Sequence, residues 1–529
     1  MFKGHPKGLW VLALANTGER FGYYTMMAIF TMYMMAKFGW AEGTAGLVNA
    51  IFLMVVYVMP LLGGILADRI GYGKCVTVGF AVMFLGYLGM ATPVESVTTA
   101  QVLMFGALFL ICLGTGLFKG NLQVLVGNLY DDPKYSERRD SAFSLFYMAI
   151  NIGAMFAPAM ANWITEKMLA ADGFDHYVAD PVKEFGEGSE MVAQYLHSLS
   201  GAYGICFGVA CVSVIISVLI YFSFKKTFKH ADVTAKQAKD SAAPVVELTP
   251  KQTSDRIKAL CLVFAVVIFF WMVFHQNGSA LTFFAKKYTD LTVTGPVRMG
   301  FNIFSLALIA ASVYTIFSFF QTTVAKTKVI LGAVTLALWG GAYALFAYMS
   351  DPFQAQPSDF QQFNPFFVVA LTPVSMAIFA AIAKGRGGKE VSAPSRIAWG
   401  MLVAGLGFGV VAAATLVGGL TSPMDLEGTQ PVLSPNWLIS TYFTLTLAEL
   451  LLSPMGISFV SRVAPPKYKG LMMGGWFLAT GIGNLLSALP SLLWDKIPLM
   501  YNWCILIGLC FLSAFAMFAL LKKLNKMTE

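Results

Sequence analysis

Apolar residues run through this chain in long unbroken blocks, with no strict alternation and no narrow helical stripe. Each block is about the 20 residues that a helix needs to cross a bilayer, and each is bounded by Lys, Arg, Asp or Pro. Strands of a membrane barrel would alternate over about ten residues, and these do not. Six spans are predicted first, over Gly8–Ala36, Thr44–Ala67, Val76–Thr92, Ala100–Gly127, Ser141–Thr165 and Gly201–Phe224. The polar, Lys-rich stretch Lys225–Lys258, with Ala242-Ala243-Pro244 inside it, reads as a linker joining two halves. Eight further spans are predicted at Ala259–Ala285, Gly300–Thr322, Val329–Met349, Pro365–Ala383, Ile397–Leu420, Trp437–Val460, Leu471–Leu493 and Leu499–Leu521, fourteen in all.

Charge placement orients these spans. Basic loops recur on one side: Asp68-Arg69 with Lys74, Lys134 with Arg138-Arg139, Lys326–Lys328, Lys384–Arg396, Arg462–Lys469 and the Lys522-Lys523 tail. The loop Glu166–Glu190, on the other side, is acidic. The positive-inside bias then places both termini in the cytoplasm. Lys3 and Lys7 before an apolar run resemble a signal peptide, but Glu19-Arg20 and the lack of a small-residue cleavage site point to a retained first helix.

Composition agrees with the pattern. Hydrophobic residues make up 57% and charged ones 12%, against about 25% charged in soluble domains. The net charge of +8 lies in alternate loops, which argues for membrane topology and against nucleic acid. The seven Cys lie in or beside apolar segments without metal-ligand spacing, so no disulfide, metal or cofactor is implied. Short loops and the absence of phosphate-loop glycines, a zinc His pair or a nucleophile elbow argue against an enzyme.

What remains is a set of polar groups at membrane depth: Glu19, Arg20, Lys119, His275 and Glu449, with Tyr23, Tyr24, Tyr57, Asn151 and Asn364 near them. Ionisable residues at that depth are functional candidates, because they are expensive unless they face protein or water. With His275 neutral the charges cancel, leaving cations in the first half and Glu449 in the second. Such a dipolar cavity suits a zwitterion, whereas a simple ion would leave one wall unpaired. The competing reading is an internal structural ion pair. For each aromatic it is ordinary packing, and for His275 a hydrogen-bonded core histidine.

These residues carry a resemblance. Phe146-Tyr147-Met148-Ala149-Ile150-Asn151-Ile152-Gly153 is similar to the Phe-Tyr-x-x-Ile-Asn-x-Gly signature of the proton-dependent oligopeptide transporter family, in the major facilitator superfamily. Gly114 to Asn121 resembles its fourth-helix motif, with Gly120 where proline is usual. Glu449 to Gly456 and Met473 to Leu478 resemble its tenth- and eleventh-helix motifs. Gly63-Gly64-Ile65-Leu66-Ala67-Asp68-Arg69 with Gly71 and Lys74 looks like the superfamily loop motif after helix two.

The resemblance implies an all-α membrane fold of two six-helix bundles, with substrate held between them and alternating access by rocking. It divides the chain into a first bundle (1–224), a linker (225–258), core helix seven (259–299), an inserted hairpin (300–350) and core helices eight to twelve (351–529). The hairpin, elsewhere found between the bundles, is expected to be lipid-facing packing. The implied function is import of di- and tripeptides with protons across a bacterial inner membrane, by a monomer. Arg20 and Lys119 would hold the peptide carboxylate, and Glu449 with Asn151 and Asn364 its amine. Tyr23, Tyr24, Tyr57, Trp476 and Phe477 would line the cavity, with Asp68 and Arg69 as a cytoplasmic gate or helix-end anchor.

Three departures bear on coupling. The first helix reads Asn16-Thr17-Gly18-Glu19-Arg20 where the family has Glu-x-x-Glu-Arg. Met27 stands where many relatives have a second Arg, and His275-Gln276 where they have Glu-Gln or Asp-Gln. Proton coupling would then fall to Glu19, Lys119, His275 and Glu449. The alternatives are a carrier of another small amphoteric solute, an uncoupled peptide facilitator, or a membrane peptide receptor.

Overall fold

The computed structural model describes residues 4–174, 177–178, 181–233, 248–278, 280–388, 390–420, 433–494 and 496–528. The middle of the expected linker (234–247) and residues 175–176 and 179–180 of the acidic loop lie outside the described residues.

Among the described residues fourteen long helices form. The first bundle comprises α1 (Lys7–Phe38), α2 (Glu42–Ile70), α3 (Tyr72–Ala91), α4 (Val97–Asn128), α5 (Arg139–Ala171) and α6 (Glu190–Ser223). The second comprises α7 (Pro250–Phe274), α10 (Phe363–Gly385), α11 (Ala393–Val417), α12 (Asn436–Val463), α13 (Lys469–Leu486) and α14 (Leu499–Thr528). Between α7 and α10 stand α8 (Ile303–Gln321) and α9 (Ala325–Ala347). Thirteen of these segments are long and apolar enough to cross a membrane by length and composition. The remaining one is α1, whose polar Asn16–Arg20 stretch lowers its hydropathy. The element that the charges make least membrane-like is therefore the one that buries Glu19 and Arg20.

Local sequence explains the ends. α1 stops where Gly39 takes a left-handed φ of 63°, a conformation that costs glycine little. α7 starts at Pro250, ahead of the predicted Ala259, because Thr249 and Gln252 form a reciprocal capping box and the proline sits in the first turn. It also ends sooner than predicted. A 3-10 turn, His275–Gly278, interrupts it before the short helix Ala280–Tyr288. Gln276 offsets the break by donating to Met272 O at 2.9 Å and Ser487 O at 3.0 Å.

Within the first bundle α1 packs on α5 and α6, and α4 on α2 and α3; in the second, α11 packs on α12 and α14, and α13 on α7. The two bundles meet where α2 lies against α13 and α5 lies against α10 and α12. Gly64 of α2 faces the Gly470 backbone so closely that a Cβ has no room. This allows the backbones of opposite bundles to touch.

The hairpin is peripheral but not isolated. α9 buries Ala342, while α8 lies against both α5 and α10. Its ends are clamped by a two-stranded antiparallel ladder, β1 (Thr292–Val293) and β2 (Phe353–Gln354), in the register Thr292↔Gln354 and Val293↔Phe353.

Candidate functional site

Glu19 and Arg20 are adjacent on α1 and both are buried. Arg20 donates from Nε to Glu19 Oε2 at 2.5 Å and from Nη2 to Oε1 at 2.6 Å, a fork-on-carboxylate pair. Its guanidinium lies 4.6 Å over the Tyr23 ring, and Tyr23 meets Tyr24 edge-on at 5.4 Å. The fork that the sequence assigned to a peptide carboxylate is thus engaged by its own neighbour.

Lys119 differs. Among the described residues it has no carboxylate partner; its ammonium lies 4.3 Å over the Tyr57 ring and 4.6 Å over that of Phe477. Two π-faces attract a cation without neutralising it. Arg20, Glu19 and His275 are the charged or titratable groups whose fields reach it.

Across the seam, Glu449 on α12 is buried and takes part in no ion pair among the described residues. Tyr147 on α5 donates its hydroxyl to Oε1, and Asn364 on α10 donates to Oε2 at 2.7 Å while reaching Thr446 Oγ1 at 3.1 Å. Each carboxylate oxygen keeps one lone pair for a further donor. Tyr24 and Tyr57 lie within electrostatic range of both Arg20 and Glu449, so these two phenols link the charges of the two bundles. The amide of Asn151 turns to Tyr147 O at 3.0 Å and does not reach Glu449. The sequence missed Tyr147 as a site residue. Its signal was a phenol one helical turn before Asn151, inside the signature itself.

His275 closes the α7 break, with Nδ1 3.0 Å from Trp271 O and its ring 5.1 Å from that of Trp271. A carbonyl only accepts, so Nδ1 carries the proton and Nε2 is left as the basic atom. Trp476 is enclosed: its indole fills the space above Gly456, where no Cβ would fit, and meets Phe264 edge-on at 6.3 Å. It is packed core, whereas Phe477 touches the cavity cation.

A second charged layer lies at the end of the bundles that bears the termini. Asp68 accepts from Gly470 N at 2.8 Å and Leu471 N at 2.9 Å. It thereby caps the N-terminus of α13, where a carboxylate is favoured, and Tyr72 donates to it at 2.7 Å. Arg69 is exposed and makes no ion pair among the described residues. Asp131 pairs with Arg139 and with Lys469, both at 2.6 Å. Asp140 takes Ser458 Oγ at 2.5 Å and Arg462 at 2.9 Å, with Arg396 at 3.9 Å. Each of these contacts joins one bundle to the other, Arg139 and Tyr72 excepted, so this end of the seam is sealed. A cavity of about 340 Å³ near the seal, between Asp140 and Arg396, is lined by neither Lys119 nor Glu449. Among the described residues no group of His, Cys, Asp or Glu could hold a metal ion.

Two bundles with buried charged groups at mid-depth and a seal at one end define a membrane protein of the major facilitator type. The profile of the POT family matches residues 74–251 and 333–504, and the chain belongs to that family. It is a transporter and not an enzyme. The chain is 27% identical over 94% of its length to the uncharacterized transporter YclF of Bacillus subtilis (strain 168), covering 90% of that protein. It is also 27% identical to the peptide transporter YePEPT of Yersinia enterocolitica, covering 92% of this chain and 88% of the relative. The crystal structure of a peptide transporter POT in complex with sulfate aligns with a TM-score of 0.60 at 23% identity, over 100% of this chain and 97% of that one. At that identity the likeness speaks for the fold. The unmatched interval 252–332 contains α8.

Proposed function

We propose that the protein imports di- and tripeptides together with protons. The observation that carries this is the pairing state of the charges at mid-depth: Lys119 and Glu449 stand on opposite bundles, each without an opposite charge among the described residues, while Arg20 is held by Glu19. A peptide's carboxylate at Lys119 and its amine at Glu449 would supply both missing charges. Glu449 still has lone pairs to accept the ammonium, and Asn364 and Tyr147 hold it in place. Asn151 sits one turn from Tyr147 and supports the amine side when its amide turns inward.

Coupling follows from the Glu19–Arg20 fork. A proton on Glu19 removes its charge and frees the guanidinium for the peptide carboxylate, beside Lys119. The basic Nε2 of His275, within the field of Lys119, is a second proton station in place of the missing carboxylate. Tyr23, Tyr24, Tyr57 and Phe477 give a wet, aromatic wall that accepts varied side chains. With the seal assigned to the cytoplasmic side by the basic loops, the structure is closed towards the cell interior, and Asp68 releasing α13 is the opening step.

The test is uptake of labelled dialanine by proteoliposomes, with and without an inward proton gradient. Concentrative uptake that collapses with a protonophore supports the proposal. Uptake that only equilibrates, indifferent to the gradient, means a facilitator. Binding without uptake means a receptor.

A further inference from the structure

The inserted hairpin touches both bundles through one helix. α8 lies against α5 of the first bundle and α10 of the second. Phe304, near its start, sits 6.5 Å from Phe156 of α5, ring to ring. Further along, the Tyr314 hydroxyl donates to Val369 O of α10 at 2.5 Å and touches Met148 Sδ of α5 at 2.8 Å.

Val369 is a particular carbonyl. Four residues on is Pro373, inside α10. Proline has no N–H for the carbonyl four residues back, and its ring crowds that carbonyl. Within a bilayer no water replaces the lost donor, so a neighbouring helix must supply one. Tyr314 supplies it. Both ends of the contact lead to the cavity: Met148 follows Tyr147, and Asn364 stands on the outer side of the same proline break. Those two side chains are the ones that hold Glu449.

We propose that Tyr314 is a positioning residue for transport, fixing the proline break in α10 and thereby the grip of Asn364 and Tyr147 on Glu449. This rests on reading Glu449 as the acceptor of the substrate amine. The hairpin is then part of the transport machinery, where the sequence suggested lipid-facing packing alone.

Tyr314→Phe removes the hydroxyl and keeps the ring, so folding is preserved. Two readouts are taken on the full chain in nanodiscs and proteoliposomes: backbone hydrogen exchange over residues 366–372, and the kinetics of dialanine uptake. Exchange there should quicken about threefold, and KM should rise about threefold with little change in maximal rate, the usual worth of one interhelical hydrogen bond in a membrane. Pro373→Ala restores an N–H for Val369 O, so in that background Tyr314→Phe should change neither readout. Tyr343→Phe, on the exposed face of α9, should be silent. Unaltered exchange and KM in Tyr314→Phe, or the same change with and without Pro373, would overturn the proposal. If the wild type takes up no dialanine, the transport reading fails and the exchange measurement alone still decides whether Tyr314 braces α10.

Discussion

The seam between the bundles is charged at two depths, and the two sets of charges are treated in opposite ways. At the sealed end Asp68 lies on backbone amides, Asp131 on two cations and Asp140 on Arg462 and Ser458. At mid-depth, among the described residues, Lys119 faces two rings and no acid, and Glu449 takes two neutral donors and no base. An uncompensated charge in a low-dielectric site costs several kcal/mol. A fold tolerates that where a ligand brings the counter-charge, and removes it where the contact is only a latch. The Glu19–Arg20 fork is the exception, a latch placed inside the cavity.

Lys119 is the charge on which the contrast between the two depths depends most. If it is the anchor left open for a carboxylate, Lys119→Ala should lower kcat/KM for dialanine on the order of 100-fold or more, with the protein still folded, since no acid loses a partner. A variant that transports normally would make Lys119 a packed lysine and place the open charge elsewhere.

Glu19→Gln sharpens the same contrast with a smaller effect. The variant cannot release Arg20 by protonation, so uptake should persist, measured as dialanine counterflow, while gradient-driven accumulation drops to equilibration. Removing one member of a buried pair costs about 3–5 kcal/mol, so thermal unfolding in detergent should fall by several degrees. Full accumulation in Glu19→Gln would move the coupling proton to His275 or Glu449.

Most of the architecture was legible because bilayer thickness imposes it: block length gave the spans, and basic loops sorted their ends. Where the sequence was misread, tertiary hydrogen bonds decided. Asn277-Gly278 is a local turn signal at the break after Phe274, overridden in the reading by the apolar run around it, and the break is held by Gln276 reaching Ser487 beyond the end of α13. Arg20 and Lys119 are both cations at depth, and their sum of charges is all that composition reveals; which one is already spent depends on side-chain geometry. The Asp68-Arg69 pair looks like one unit in the sequence, yet the seal takes up Asp68 and leaves Arg69 at the surface. The hairpin's apolar sequence describes α9 well and conceals that Tyr314 meets a carbonyl freed by proline.

The smallest expected effect lies in the seal, and it tests whether paired charges there are mere latches. Asp131 lies outside the spans. Burial alone would push its carboxyl up, but Lys469 and Arg139 outweigh that and hold it below its usual value. A lowered carboxylate stabilises the closed fold above its unfolded pKa of about 3.9, and that contribution is lost as pH falls through the lower, folded value. Asp131 is half-exposed, so solvent screening limits the pair to about 0.2–1 kcal/mol. Asp131→Asn should therefore lower Tm by about 1–2 °C at pH 7, with the same difference down to pH 5. The gap between variant and wild type should close only in stronger acid. A gap that closes between pH 5 and 7 would mean Asp131 titrates near neutrality, and the seal would then be a second proton-sensitive element beside Glu19.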